Sequence, residues 1–300
     1  MLLLLRRALS TAGSSRPPCA LIHRLSTTTE PPARGVSFSL APPPCPSQIT
    51  VPEHVFDLGA HPYMEGCTDL LGSGVHAASA EGLLLLLTPF KVRYRANPLA
   101  KQDLWANLRC GINPFQVVYQ FFYRFVCNPI SGELFRLPDF DGQDKILDDQ
   151  HLGLITEAGG RNGPPERYAV VQLSDKDGEW GGRRFVWRRF VSETGEWDKL
   201  VLPSLPPPGR RMHLNHEVLA FGGRLWWVDV SWGAVSADPF SDQPELRSIE
   251  LPGDSMRPGQ EGEEEMRQLV KRRRMGGQRR ETSLRRGVCE GALPDQVVHA

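Results

Sequence analysis

One hairpin plan is written three times along this chain. CNPISGELFRLP (127–138), VSETGEWDKLVLP (191–203) and ADPFSDQPELRSIELP (237–252) each end one strand, cross a polar turn and run a second strand to a Leu-Pro stop. The closing prolines, Pro138, Pro203 and Pro252, sit 65 and 49 residues apart. Repeats of about 40–50 residues, each a small antiparallel sheet, are blade-like, because each sheet hides its apolar surface by stacking on the next. The expected fold class is all-β: an incomplete, β-propeller-like stack of roughly four to five blades, with a β-sandwich or barrel of similar hairpins as the alternative.

The rest of the body supports many short strands. EGLLLLLTPF (81–90), FFYRFVCNPI (121–130), HLGLITEA (151–158), RYAVVQLS (167–174), EVLAFGG (217–223) and RLWWVDVS (224–231) are rich in Val, Leu and aromatics. Gly, Pro, Asp, Asn or Ser bounds each of them, which is the strand signal. In RRFVWRRFV (183–191) a period of two puts Phe185, Trp187 and Arg189 on one face and Val186, Arg188 and Phe190 on the other, so neither face is purely apolar and the strand is expected near a sheet edge. Helical periodicity is weak, and NPLAKQDLWANLRCGINPF (97–115) is the one place for a short helix, ended by Gly111 and Pro114. The 29 glycines and 26 prolines, about 18% of the chain against an ordinary 12% or so, suit a turn-rich protein.

The ends differ from the body. The first 35 residues carry Arg6, Arg7, Arg16, Arg24 and Arg34, many Ser and Thr, and no acid before Glu30. Arg-rich, Ser-rich and acid-poor is the pattern of an organellar transit peptide, so residues 1–35 are read as a leader to the mitochondrion, with the plastid as alternative. If the leader is not a transit peptide, the address is cytoplasm or nucleus. RALS (7–10) and HRLST (23–27) both resemble matrix-protease contexts. Residues 36–50, with PPPCP at 42–46, are expected to be a stiff Pro-rich linker. The propeller-like domain is assigned to residues 51–256, and residues 257–300 are read as a charged, disordered tail.

EGLLLLL, VCNPISGELFRLP, GPPERYAVVQLS, FVWRRFVSETGEWDKLVLP and GGRLWWVDVSWGAVSADPF together resemble a plant domain-of-unknown-function family, number 1618, which is expanded in grasses. The resemblance runs from about Pro52 to Met275. It implies a propeller-like fold similar to F-box-associated domains, with no established activity, cofactor or catalytic residue to carry over.

The residues themselves offer little chemistry. HLNHE (213–217) brings His213, His216 and Glu217 together, but its two histidines are three apart and the segment precedes a strand, unlike a zinc-protease helix. GSGVHAASAEG (72–82) is rich in small residues yet lacks the Gly-Lys-Ser/Thr ending of a phosphate loop. The six cysteines, Cys19, Cys45, Cys67, Cys110, Cys127 and Cys289, never form a C-x-x-C pair, which suits isolated thiols in a reducing compartment. No stretch reaches the 18 or so apolar residues of a membrane span. The 35 basic and 35 acidic residues cancel, so no global field favours nucleic acid, and no DNA-binding motif occurs. KRRRM (271–275) is a basic run, but Glu261, Glu263, Glu264 and Glu265 stand just upstream and no aromatics are interleaved with it.

The functional reading is accordingly a non-enzymatic interaction module, with no cofactor, no metal and no catalytic residue assigned, that binds a protein partner through turn loops. Trp226 and Trp227 put one ring on each face of a strand, for which core packing is the leading account. Contact of Trp226, Trp227 and Trp232 with a partner is the minority one. An organellar enzyme or ligand binder of unrecognised type is the alternative class, and a truncated, non-functional gene product the third.

The tail raises a different question. GQRRETSLRRGVC (277–289) admits a back-translation whose reading from the second nucleotide contains GRLRYVEVS. That string repeats GRLWWVDVS at 223–231. Residues 277–300 are therefore expected to be out of the ancestral frame. Long-read sequencing of transcript and genomic DNA across codons 270–300 tests this: one nucleotide gained or lost should restore the strand, and a locus without it refutes the reading.

Overall fold

A computed structural model describes residues 20–23, 25–29, 35–56, 67–79, 85–96, 115–139, 152–158, 165–177, 183–203, 205, 212–214, 217–257, 263–277 and 282–286. The chain divides into two units, one of residues 1–75, 86–137 and 144–146, the other of residues 76–85, 138–143 and 147–300. The fold class is all-β. The strands form small, largely antiparallel sheets, and Glu263–Arg272 (α1) is the one α-helix among the described residues.

The first unit is organised around strands β1 (Leu25–Thr29), β2 (Ser37–Ser39), β3 (Gln48–Pro52), β4 (Cys67–Ala78), β5 (Leu85–Ala96), β6 (Phe115–Phe122), β7 (Phe125–Cys127) and β8 (Leu134–Arg136). They lie in the order β2-β3-β1-β4-β5-β7-β8, with β6 on β5. One sequence expectation changes here, that of the linker. Residues 25–29, inside the expected leader, form a strand parallel to β3 and antiparallel to β4, as the run Ser-Thr-Thr-Thr favours. The expected stiff linker is a hairpin, with Ser37 opposite Thr50 and Ser39 opposite Gln48. Its prolines up to Pro46 stay in the connection, where a missing N–H costs no ladder bond, and Ile49 and Val51 on β3 are buried. The helix expected within 97–115 lies outside the described residues, apart from Phe115, which begins β6.

The second unit holds two four-stranded antiparallel sheets. β9 (Leu152–Ala158), β10 (Pro165–Asp177), β11 (Arg183–Val191) and β12 (Trp197–Pro203) make the first; β13 (Glu217–Phe221), β14 (Arg224–Asp229), β15 (Gly233–Ala237) and β16 (Arg247–Glu250) make the second. Both run in chain order. Gly222 and Gly223, at φ 60° and 73°, make the two-residue turn between β13 and β14, a conformation that demands positive φ at both positions. The repeated plan is real: β7–β8, β11–β12 and β15–β16 are each antiparallel hairpins, and each closing strand ends its sheet.

β11 is not an edge strand; it lies between β10 and β12. Arg188 and Arg189 misled because each finds a partner inside the fold. Arg188 donates to Ser174 Oγ at 3.4 Å, and Arg189 on the opposite face donates to Asp198 Oδ2 at 3.0 Å. The sheet β9–β12 is buried on both faces, with Leu152, Leu154, Val170 and Phe190 on one and Ala169, Val171, Phe185 and Trp187 on the other.

The second of those faces meets β13–β16. Trp187 on β11 and Trp227 on β14, both fully buried, touch edge-on with ring centroids 5.6 Å apart and planes at 63°. Such tilted pairs are favoured over a flat stack by the ring quadrupoles. Phe185, Leu225, Trp232 and Val235 surround them. Gly153 on β9 permits the close approach: a Cβ there would come within 2.7 Å of Val218 Cγ1 and 2.8 Å of Leu225 Cδ2.

The other face of β13–β16 carries Leu219, Trp226, Val228, Ala234 and Ile249, and Leu269 and Val270 of α1 pack on it. β17 (Arg273–Gly277) and β18 (Thr282–Arg286) follow as an antiparallel pair. Residues 263–277, expected to be disordered, therefore hold a helix and a strand. The helix forms because Glu263–Glu265 stand at its positive end, Lys271 and Arg272 at its negative end, and Met266, Leu269 and Val270 on one face. No helix among the described residues is long and apolar enough to cross a membrane.

Replacing Trp227 by Ala should cost about 3–5 kcal/mol, the range for a buried aromatic. Urea unfolding followed by near-ultraviolet circular dichroism measures it, and a cost under about 1 kcal/mol would remove the Trp187–Trp227 contact from the centre of the core.

Candidate functional site

Two turn loops of the second unit, residues 192–196 and 238–246, are held by side chains from neighbouring strands. Residues 238–246, between β15 and β16, are gripped by three arginines from three strands. Arg189 of β11, with a side chain only 12% exposed, donates through Nη1 to Pro239 O at 2.8 Å and to Ser241 O at 2.6 Å, while its other edge meets Asp198. Arg167 of β10 lies 4.5 Å over the Phe240 ring, a cation–π contact, and bonds Glu157 and Glu193. Arg224 of β14 donates to Ser236 Oγ and Ser236 O at 3.1 Å each and to Glu245 O at 3.0 Å.

These contacts place two turns side by side at one end of the paired sheets. The β11–β12 turn, residues 192–196, closes on Val191 O through the N–H groups of Thr194 and Gly195. Its Glu193 reaches Arg167, which already leans on Phe240 of the neighbouring loop. Within 238–246, Phe240 N–H is held by Asp238 Oδ1, and Ser241 Oγ spans to Gln243. Glu193, Glu196, Asp242 and Glu245 stay exposed on this framework. Glu157 and then Glu193 raise the Arg167 pKa, so its charge is permanent. Burial, followed by the charge of Arg247, lowers that of Arg224.

The tryptophans named from the sequence lie elsewhere. Trp227 and Trp232 are buried in the core between the sheets and present no surface to a partner. Trp226 is half-buried on the opposite face, its Nε1 donating to Phe221 O at 3.1 Å. Of HLNHE, His213 contributes its backbone: its N–H donates at 2.8 Å to Oδ2 of the fully buried Asp229, whose Oδ1 accepts from Ser231 N–H and Oγ. His216 lies outside the described residues. GSGVHAASAEG is the later half of β4 as far as Ala78. Among the described residues no three His, Cys, Asp or Glu side chains are gathered as a metal ion would need. Cys127 is buried, which pushes its thiol pKa up to about 12, so it is protonated and unreactive near neutrality.

Sequence reading passed over the arginine grip. RRFVWRRFV suggested a strand near a sheet edge, and nothing local tells Arg189 that Pro239, fifty residues on, will offer a carbonyl. The only local signals were the turn chemistry of ADPFSDQP and of SETG.

Comparisons of the chain with family models, with curated proteins and with solved structures find no match.

Replacing Arg189 by Met keeps the apolar stem and removes every donor. The variant should lose about 1–3 kcal/mol, the cost of leaving buried acceptors unsatisfied, and amide exchange should quicken in 238–246. Unchanged exchange in that loop would show that the guanidinium does not hold it.

Proposed function

We propose that the chain is a non-enzymatic protein-interaction module of the family 1618 type, built on an incomplete propeller-like stack, whose partner binds the turn loops 192–196 and 238–246. The observation that carries the reading is the grip itself. Three partly or largely desolvated arginines are committed to fixing the shape of two adjacent surface turns. A protein that needed only to close a hairpin would use two or three turn residues. Loops held rigid on a sheet scaffold are the usual way to present binding residues, because little ordering entropy is lost on association.

The propeller-like part of the reading draws on the order of strands. Each of the two sheets has its strands side by side in chain order, β9–β12 is buried on both faces, and the first strand β9 lies against β13 and β14 of the following sheet. Mitochondrial address remains the proposal for the leader. Cleavage near RALS (7–10) is the version compatible with β1 staying in its sheet, whereas cleavage within HRLST (23–27) would cut into it.

Crosslinking mass spectrometry in an organelle extract tests the reading, comparing the natural chain with Glu196→Lys and Asp242→Lys combined, which leave the Glu193–Arg167 bond of the clamp intact. Crosslinks from one protein should fall on the two loops and disappear in the variant at unchanged melting temperature. Crosslinks that map elsewhere, or survive the charge reversals, would reject these loops as the binding face.

A further inference from the structure

The two faces of the sheet β13–β16 are covered by different elements. Its near face stacks on β9–β12, sheet on sheet, through Leu225, Trp227, Val235 and Ala237. Its far face, set by register pairs Leu219↔Trp226, Val228↔Ala234 and Ala234↔Ile249, is equally apolar. A further sheet would fit there by the same chemistry. What lies there is α1.

We propose that α1 is the end-cap of the sheet stack. It covers the far face of β13–β16 and keeps out a second copy of this chain, which would otherwise stack there sheet on sheet. The helix has the design such a cap requires. Met266, Leu269 and Val270, at i, i+3 and i+4, form its inner face, whereas Glu264, Glu265, Arg267, Lys271 and Arg272 are exposed on its outer side. A terminal element of a stacked array needs this polarity, apolar inward and charged outward, because no neighbour covers its outer side. Outside pairs Gln268–Glu264 and Arg267–Glu264 tie that face to itself.

The cap is also pinned at its end. Arg273, buried immediately after α1, donates through Nη1 to Val230 O at 2.9 Å and to Ser255 O at 2.8 Å. Val230 belongs to the same apolar cluster that Leu269 and Val270 cover, so the anchor and the apolar contact act on one patch. Ten residues of isolated helix are marginal in water, and this helix depends on the sheet it covers. A second copy is the occupant kept out because it carries the same apolar far face, Leu219, Trp226, Val228, Ala234 and Ile249, and two such faces can stack sheet on sheet as the near face of β13–β16 already does on β9–β12. The inference concerns the far face alone and does not rest on the loop-binding reading.

The test uses the full chain with Leu269→Glu and Val270→Glu together, and separately Arg273→Ala, which releases the pin without touching the apolar contact. Sedimentation velocity across a concentration series should show the natural chain as one copy and both variants shifting toward two. The near-ultraviolet signal of the Trp187–Trp227 pair should be retained. A synthetic peptide of residues 263–277, added in excess, should return the double variant to one copy. Variants that stay single with an unchanged melting temperature overturn the proposal, since the face then needs no cover. Loss of the tryptophan signal in both variants also overturns it, because α1 would then be part of the core and not a cap.

Discussion

The edge-to-face contact of Trp187 and Trp227 is the hinge on which the second unit is built. Each ring lies at the centre of a four-stranded sheet, and each sheet is too thin to hold itself together. A four-stranded antiparallel ladder satisfies its backbone but leaves two side-chain faces, and the free energy lies in covering them. Two indoles fully removed from water supply that cover at one point. Gly153 then lets β9 approach Val218 and Leu225, so the first strands of the two sheets close together beneath the ring pair.

Once the sheets are joined, their ends are forced into proximity, and arginine becomes useful there. A guanidinium has five donors and no acceptor, so inside a fold it seeks carbonyl and carboxylate oxygens. Arg189 finds Asp198 on its own sheet and Pro239 and Ser241 on the next, which converts a sheet junction into a loop clamp. Arg167 adds a ring contact and Arg224 a third carbonyl. The exposed turns are stiff because the core beneath them is, and the binding proposal rests on that coupling.

The same logic explains why the chain changes character after Leu251. A stack of sheets can continue or stop, and stopping demands an element with one apolar side. α1 meets that demand with three apolar residues in one turn and a buried arginine at its end. The acidic run and the basic run that looked like a solvated tail are the two ends of this helix, each at the dipole end that favours it.

Much of the architecture was legible in one dimension because strand and turn signals are local. The Leu-Pro hairpins, the Gly222-Gly223 turn and the alternation of Trp226 and Trp227 to opposite faces all follow from residue type and a period of two. All-β character followed from them. What failed were judgements about who covers whom. Arginines at 188 and 189 read as an edge, prolines up to Pro46 as a linker, and the charged residues from 263 to 273 as part of a disordered tail, because polarity in a sequence does not say whether a partner is present. Arg189 is satisfied by atoms fifty residues away, and α1 holds its place by lying on a sheet. The candidate site was therefore almost invisible in the sequence. Local chemistry determined the strands and turns; only the packing of one sheet on another decided which polar groups became clamps, which charged segment folded onto a sheet, and which exposed turns were fixed in shape.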